Sequence, residues 1–154
     1  MYKRVIIPLD GSPLAEAILP FILDIAGPLD MEVVLVRVVP PVPPQVVEGT
    51  RQVIVEDVEA RLAEARAYLE PLAAQLAAKG VRVQTLTRHG EPVREILAAA
   101  HEVGADLIAM TTHGRSGLGR LLFGSVAEAV LRQAEIPVFL LKGGRVPPHR
   151  EAAR

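Results

Sequence analysis

"MEVVLVRVV", residues 31–39, is an almost unbroken run of aliphatic residues, too short to cross a membrane and interrupted by Arg37. A strand with one wet face would alternate apolar and polar residues. A near-continuous run is instead the pattern of a parallel strand covered by helices on both faces. Parallel neighbours need long crossover connections, so helical segments are expected on either side of this run.

Working outward, the chain meets that expectation. Upstream, "KRVIIPL" (3–9) is a β-branched run closed by Asp10 and Gly11, a first strand entering a turn. Ser12 and Pro13 then form a helix-start signal, because serine caps free amides and proline is tolerated at the first helical position. The helix is predicted over 13–26, ending at Gly27 and Pro28. Downstream, "PPVPP" stops the apolar run, and residues 40–49 read as a stiff, exposed connector without periodicity. Ile54, Val58, Leu62, Ala65, Leu69, Leu72 and Leu76 recur in steps of four and three. They mark the core face of a long helix that closes at Gly80, with a kink expected at Pro71.

"VRVQTLTRH" (81–89) alternates as a strand, and "EPVREILAAAHEVG" (91–104) reads as a helix with Pro92 near its start. "ADLIAMTT" (105–112) is a fourth strand, "SVAEAVLRQAE" (125–135) a helix and "PVFLL" (137–141) a fifth strand. Strands alternating with helices imply right-handed crossovers and an α/β fold: a doubly wound, open, parallel five-stranded sheet with helices on both faces.

At 154 residues the chain is expected to form one domain, over 1–143, followed by a flexible polar tail at 144–154. The net charge of -1 and 3% aromatic content supply neither the electrostatic footprint nor the stacking surfaces that nucleic acid calls for. With no cysteine there is no disulfide framework and no thiolate metal site. Asp10 interrupts the first apolar stretch before a signal-peptide core can form, so no membrane partner and a cytoplasmic location are expected.

Ligands of open α/β sheets sit beyond the carboxyl ends of the strands, where the winding direction reverses. The connection after the fourth strand, within "MTTHGRSGLGRLLFGSVAEAV" (110–130), is about twice the usual two to six residues. Gly114, Gly117, Gly119 and Gly124 permit close backbone approach and convergent amides, and Arg115 and Arg120 add positive charge. Gly124 and Ser125 open a helix whose positive end is a ready anion site, and the Ser125 hydroxyl could cap that helix or bind a phosphate oxygen. On the residues alone, tight turns with an N-cap and a phosphate cradle explain the loop equally well.

Several nucleotide and catalytic signatures are absent. There is no Gly-Lys-Ser/Thr of a P-loop, "GRSGLG" is not G-x-G-x-x-G, and Ser116 is followed two residues later by Leu118 and not by the glycine of G-x-S-x-G. His89, His101, His113 and His149 are dispersed, so no protein metal site is expected. Asp10 on generic grounds is a turn residue that bonds its own downstream amides, raised above that only by its place at the end of the first strand.

"TTHGRSGLGRLLFGS" nevertheless resembles the phosphate loop of the universal stress proteins, whose ATP-binding members carry G-x-x-G, nine residues, then Gly-Ser/Thr. Gly114, nine residues, Gly124 and Ser125 match the second half, with His113 just before Gly114. "IIPLDGS", "RVV" and "IPVFLLK" extend the resemblance over nearly the whole chain. It implies strand order 3-2-1-4-5. By that resemblance Pro8, Leu9 and Asp10 lie by the adenosine, Val38 against adenine, and Met110 and Thr111 at the nucleotide's edge. Gly114, Arg115, Gly124, Ser125 and Val126 then wrap the phosphates of ATP, which Mg²⁺ can accompany. Thr111 stands where the family has its first motif glycine, and a β-branched side chain there is expected to crowd the ribose.

The resemblance implies a cytoplasmic, ATP-binding stress-response protein that acts as a nucleotide-dependent homodimeric switch, with no catalytic residue assigned. A slow ATPase or phosphotransferase, and a dimeric scaffold without nucleotide, are the alternatives. Pairing is expected through the last strand, Pro137 to Leu141, an apolar edge with no inward charge. The sequence does not name the client protein.

Overall fold

The computed structural model describes residues 1–43, 45–46, 53–54, 57–112 and 123–143. The predicted strands form at the predicted places. β1 (Arg4–Pro8) lies between β2 (Glu32–Val39) and β6 (Leu107–Thr112), with β5 (Arg82–His89) outside β2 and β7 (Val138–Lys142) outside β6. All four pairings are parallel, starting at Arg4↔Glu32, Glu32↔Arg82, Val5↔Leu107 and Ile108↔Val138. Counting only these strands, the order is 3-2-1-4-5, the order that the family resemblance implies for a doubly wound sheet.

Alternate residues of the central strands feed two cores. Ile7, Val33 and Leu35 face one side, against α2 (Leu19–Ala26) and α3 (Val58–Ala78), whose Ile22, Leu69 and Leu76 complete that core. Ile6, Val34, Val36 and Ile108 face the other, under α4 (Pro92–Glu102) and α5 (Phe123–Gln133), which contribute Ile96, Ala99 and Val130. Val33 to Val36 are all fully buried, so both faces of β2 are covered.

Three local readings need correction. The helix expected over 13–26 is two pieces, α1 (Pro13–Glu16) and α2, because Pro20 lacks an amide proton and its ring obstructs the carbonyl four residues back. Pro20 therefore sits in the first turn of the second helix, as its second residue. The connector after β2 is exposed from Pro40 to Pro43, but further on β3 (Gln45–Val46) pairs antiparallel with β4 (Val53–Ile54). Ile54 thus belongs to that ladder and not to the helical stripe, since Asp57 caps α3 by accepting from the Ala60 amide at 3.0 Å. Finally, α5 begins at Phe123, earlier than expected. α3 runs unbroken through Pro71. The tail proposed for 144–154 lies outside the described residues.

At the amino ends of the strands a polar network ties the sheet together. The Asp106 carboxylate accepts from the amides of Lys3 and Arg4, at 2.8 and 3.0 Å. The Arg4 guanidinium donates to Glu32 at 2.9 Å and to the Val103 carbonyl, while Gln84 donates to the other Glu32 oxygen at 2.7 Å. Four strands or their entry turns are joined in this way, and the opposite end of the sheet carries the cleft.

Candidate functional site

β1 leads through its crossover to β2 on one side, whereas β6 leads to β7 on the other, so the winding reverses between β1 and β6. There the strands' carboxyl ends open into a cleft of about 350 Å³. One wall is apolar: Pro8, Val38, Met110, Ile96 and Val126 come from β1, β2, β6, α4 and α5. The other is polar, with Asp10, Arg37, and the Arg61 and Glu64 side chains of α3. An apolar slot flanked by a few polar groups suits a flat ring bearing polar substituents.

Pro8, Leu9, Asp10, Val38, Met110 and Val126, all proposed from the sequence, line this cleft together. Gly124 and Ser125 are the second and third residues of α5, whose positive end they form with Phe123. Ser125 therefore is not an N-cap, since a cap precedes the first helical residue. The proposed contacts His113, Gly114 and Arg115 lie outside the described residues.

Thr111 corrects another expectation. Strand alternation turns it away from Met110, and its hydroxyl donates to the Ala15 carbonyl of α1 at 3.5 Å while 3% of the residue is exposed. Its methyl group faces the α1 side near Gly143 and does not line the cleft.

Asp10 is the turn residue expected of it and also lines the cleft. Its Oδ1 accepts from the Ser12 amide at 3.0 Å and the Ser12 hydroxyl at 2.6 Å, and Ser12 Oγ accepts from the Ala15 amide at 3.1 Å as the N-cap of α1. The relay fixes the carboxylate at the cleft's rim. Ser12→Ala removes both the cap and the donor to Asp10, and is expected to lower the unfolding free energy by about 1 kcal/mol in a denaturant titration.

Arg37, Arg61, Glu64 and Ile96 were not singled out from the sequence. For Arg37 a signal existed, as the one basic residue of β2, close to its carboxyl end. Its guanidinium lies 4.7 Å from the centroid of the Tyr68 ring. It also lies 3.2 Å from where a Cβ of Gly11 would stand, so a glycine with φ of +89° leaves it room. The Tyr68 hydroxyl donates to Glu16 at 2.9 Å.

Burial first, and then the Glu16 carboxylate, push the Tyr68 phenol well above its ordinary value. The unfolded chain consequently loses this proton at lower pH than the folded one, and the associated stability, present below about pH 10, declines as pH rises beyond it. The drop in melting temperature between pH 9 and pH 11 is expected to be smaller in Tyr68→Phe than in the wild type.

Among the described residues no group of three His, Asp or Glu side chains could hold a metal, and no helix is long and apolar enough to cross a membrane.

A parallel sheet in this order, with its crevice at the reversal and a helix's positive end beside it, defines a doubly wound α/β domain with a ligand-type switch point. The sequence profile of the universal stress protein family matches residues 1–142. The chain is 37% identical over 145 residues to Universal stress protein MJ0531 of Methanocaldococcus jannaschii, covering 92% of this chain and 83% of that one. The chain belongs to the universal stress protein family.

The solved structure of MJ0577 from the same organism superposes with a TM-score of 0.72 at 26% identity, over 95% of this chain and 99% of that one. A universal stress protein of Archaeoglobus fulgidus, solved in complex with dAMP, gives 0.65 at 24% identity over 90% and 97% of the two chains, a likeness of fold.

Proposed function

We propose that the cleft binds ATP and that the protein is a nucleotide-responsive regulator whose occupancy biases loop order and partner contacts without fast turnover. The observation that carries this reading is the convergence of Pro8, Asp10, Val38, Met110 and Val126 on one cleft beside the amino end of α5. The apolar wall receives adenine. The first turn of α5, at Gly124 and Ser125, meets the phosphates, together with Gly114 and Arg115. The dAMP held by the Archaeoglobus fulgidus relative supports adenine as the base.

Mg²⁺ would accompany the phosphates and be held mainly by them. The partner is a second copy of the chain, joined through residues 137–141, where β7 is an edge strand with half-buried Val138, Phe139, Leu140 and Leu141. The setting is cytoplasmic, and neither nucleic acid nor membrane takes part. Calorimetric titration with ATP and Mg-ATP is expected to give saturable heat, and sedimentation at micromolar concentration a dimer. No heat and no thermal shift at millimolar nucleotide would overturn the binding, and a monomer the dimer.

A further inference from the structure

The polar wall of the cleft carries charges that adenine recognition does not use. Of its two arginines, Arg61 donates to the Pro40 carbonyl at 2.8 Å, whereas Arg37 makes no hydrogen bond or ion pair with the described residues. Arg37 is nevertheless held in place. The Tyr68 ring lies 4.7 Å from its guanidinium carbon and the Gly11 turn packs against the same group, while the Tyr68 hydroxyl is anchored on Glu16. A planar fork with five N–H donors, oriented before any ligand arrives, suits bidentate recognition of an oxyanion.

The surrounding charge sharpens this. Among the described lining residues, Asp10 and Glu64 stand on the same wall, opposed by Arg37 and Arg61. Without Arg37 that wall carries more negative than positive charge and repels an anion. Asp10 is in addition engaged by Ser12, and Glu16 by Tyr68, which leaves the Arg37 donors to the cleft.

We propose that Arg37 is a second phosphate-binding group of the cleft, separate from the positive end of α5, a reading that rests on nucleotide occupancy of the site. The oxyanion has two sources: an outer phosphate of the 5′ chain, or a phosphate ester on the sugar's 2′ or 3′ oxygen. Both present the same chemistry to the guanidinium. Arg37→Met keeps an unbranched stem against Tyr68 while removing the fork, and Arg37→Lys keeps the charge without the plane.

The full-length wild type and both variants are titrated with AMP, ADP, ATP and adenosine 3′,5′-bisphosphate, and with adenosine by competition. Arg37→Met is expected to lose about tenfold or more in affinity for the ligand whose phosphate reaches position 37. It keeps its affinity for adenosine within about twofold, and Arg37→Lys falls between. A loss growing from AMP to ATP identifies the 5′ chain, and a loss confined to the bisphosphate identifies the sugar ester. Equal losses for adenosine and every phosphorylated ligand, or no loss for any, overturn the role of Arg37 while leaving nucleotide binding intact. A wild type that binds none of the ligands overturns both readings.

Discussion

For the proposed ATP site, Gly124→Val is expected to leave the protein folded and to lower the affinity for ATP on the order of a hundredfold or more, the loss of one or two charge-assisted hydrogen bonds to phosphate. The two halves of this result have separate causes. A Cβ built at Gly124 meets no described atom within 4 Å, so the side chain enters open space and not the core. Valine is also a slightly better helix former than glycine, and the unfolding free energy should change by less than about 1 kcal/mol. In the proposed site the same space is where a phosphate approaches the first turn of α5, and a branched side chain there is expected to keep it from the amides. Calorimetry and denaturant unfolding on the same sample separate the two effects. Normal ATP binding by this variant would show that the end of α5 is not the phosphate site.

Leu35→Ala has the opposite signature. Leu35 is fully buried in the centre of β2, in the core it shares with Ile7, Leu69 and Leu76. Truncation leaves a cavity walled by a helix and a sheet that cannot collapse freely, at a cost of about 2–5 kcal/mol. That is a large part of the roughly 5–15 kcal/mol by which a domain is stable. The melting temperature is expected to fall by roughly 10 °C. Leu35 does not line the cleft, so nucleotide affinity at a temperature where the variant is folded should match the wild type. A loss below about 1 kcal/mol would mean that α3 does not pack on this face as described.

Buried patterning made the sheet legible before any coordinates. Residues 31–39 could only be a doubly covered strand, and the other strands followed from runs bounded by glycine, proline and aspartate. Two of the misreadings share a cause: a periodic pattern runs on past a local breaker. Pro20 cuts an apolar stretch whose spacing gives no hint of an interruption. Ile54 fits the helical stripe by spacing, yet it is paired with Gln45, a contact between short segments that no periodicity reports.

The site was legible to the extent that it is built from strand ends. Asp10 follows from its place at the end of the first strand, and Pro8, Val38 and Met110 from the family resemblance. Arg37 did not, because its importance lies in contacts with Tyr68 and Gly11, which are distant in sequence and adjacent only after folding. Thr111 shows the converse. A departure from the family motif looked obstructive in one dimension, but the alternation of β6 directs the side chain to α1.

The polar network around Arg4, Glu32, Gln84 and Asp106 clamps the amino ends of β1, β2 and β5 and the entrance to β6. Strands fastened at one extremity keep their alignment even if the far extremity is rearranged. The protein can therefore vary the rim of its crevice, and with it what the crevice accepts, without putting the alignment of the strands at risk.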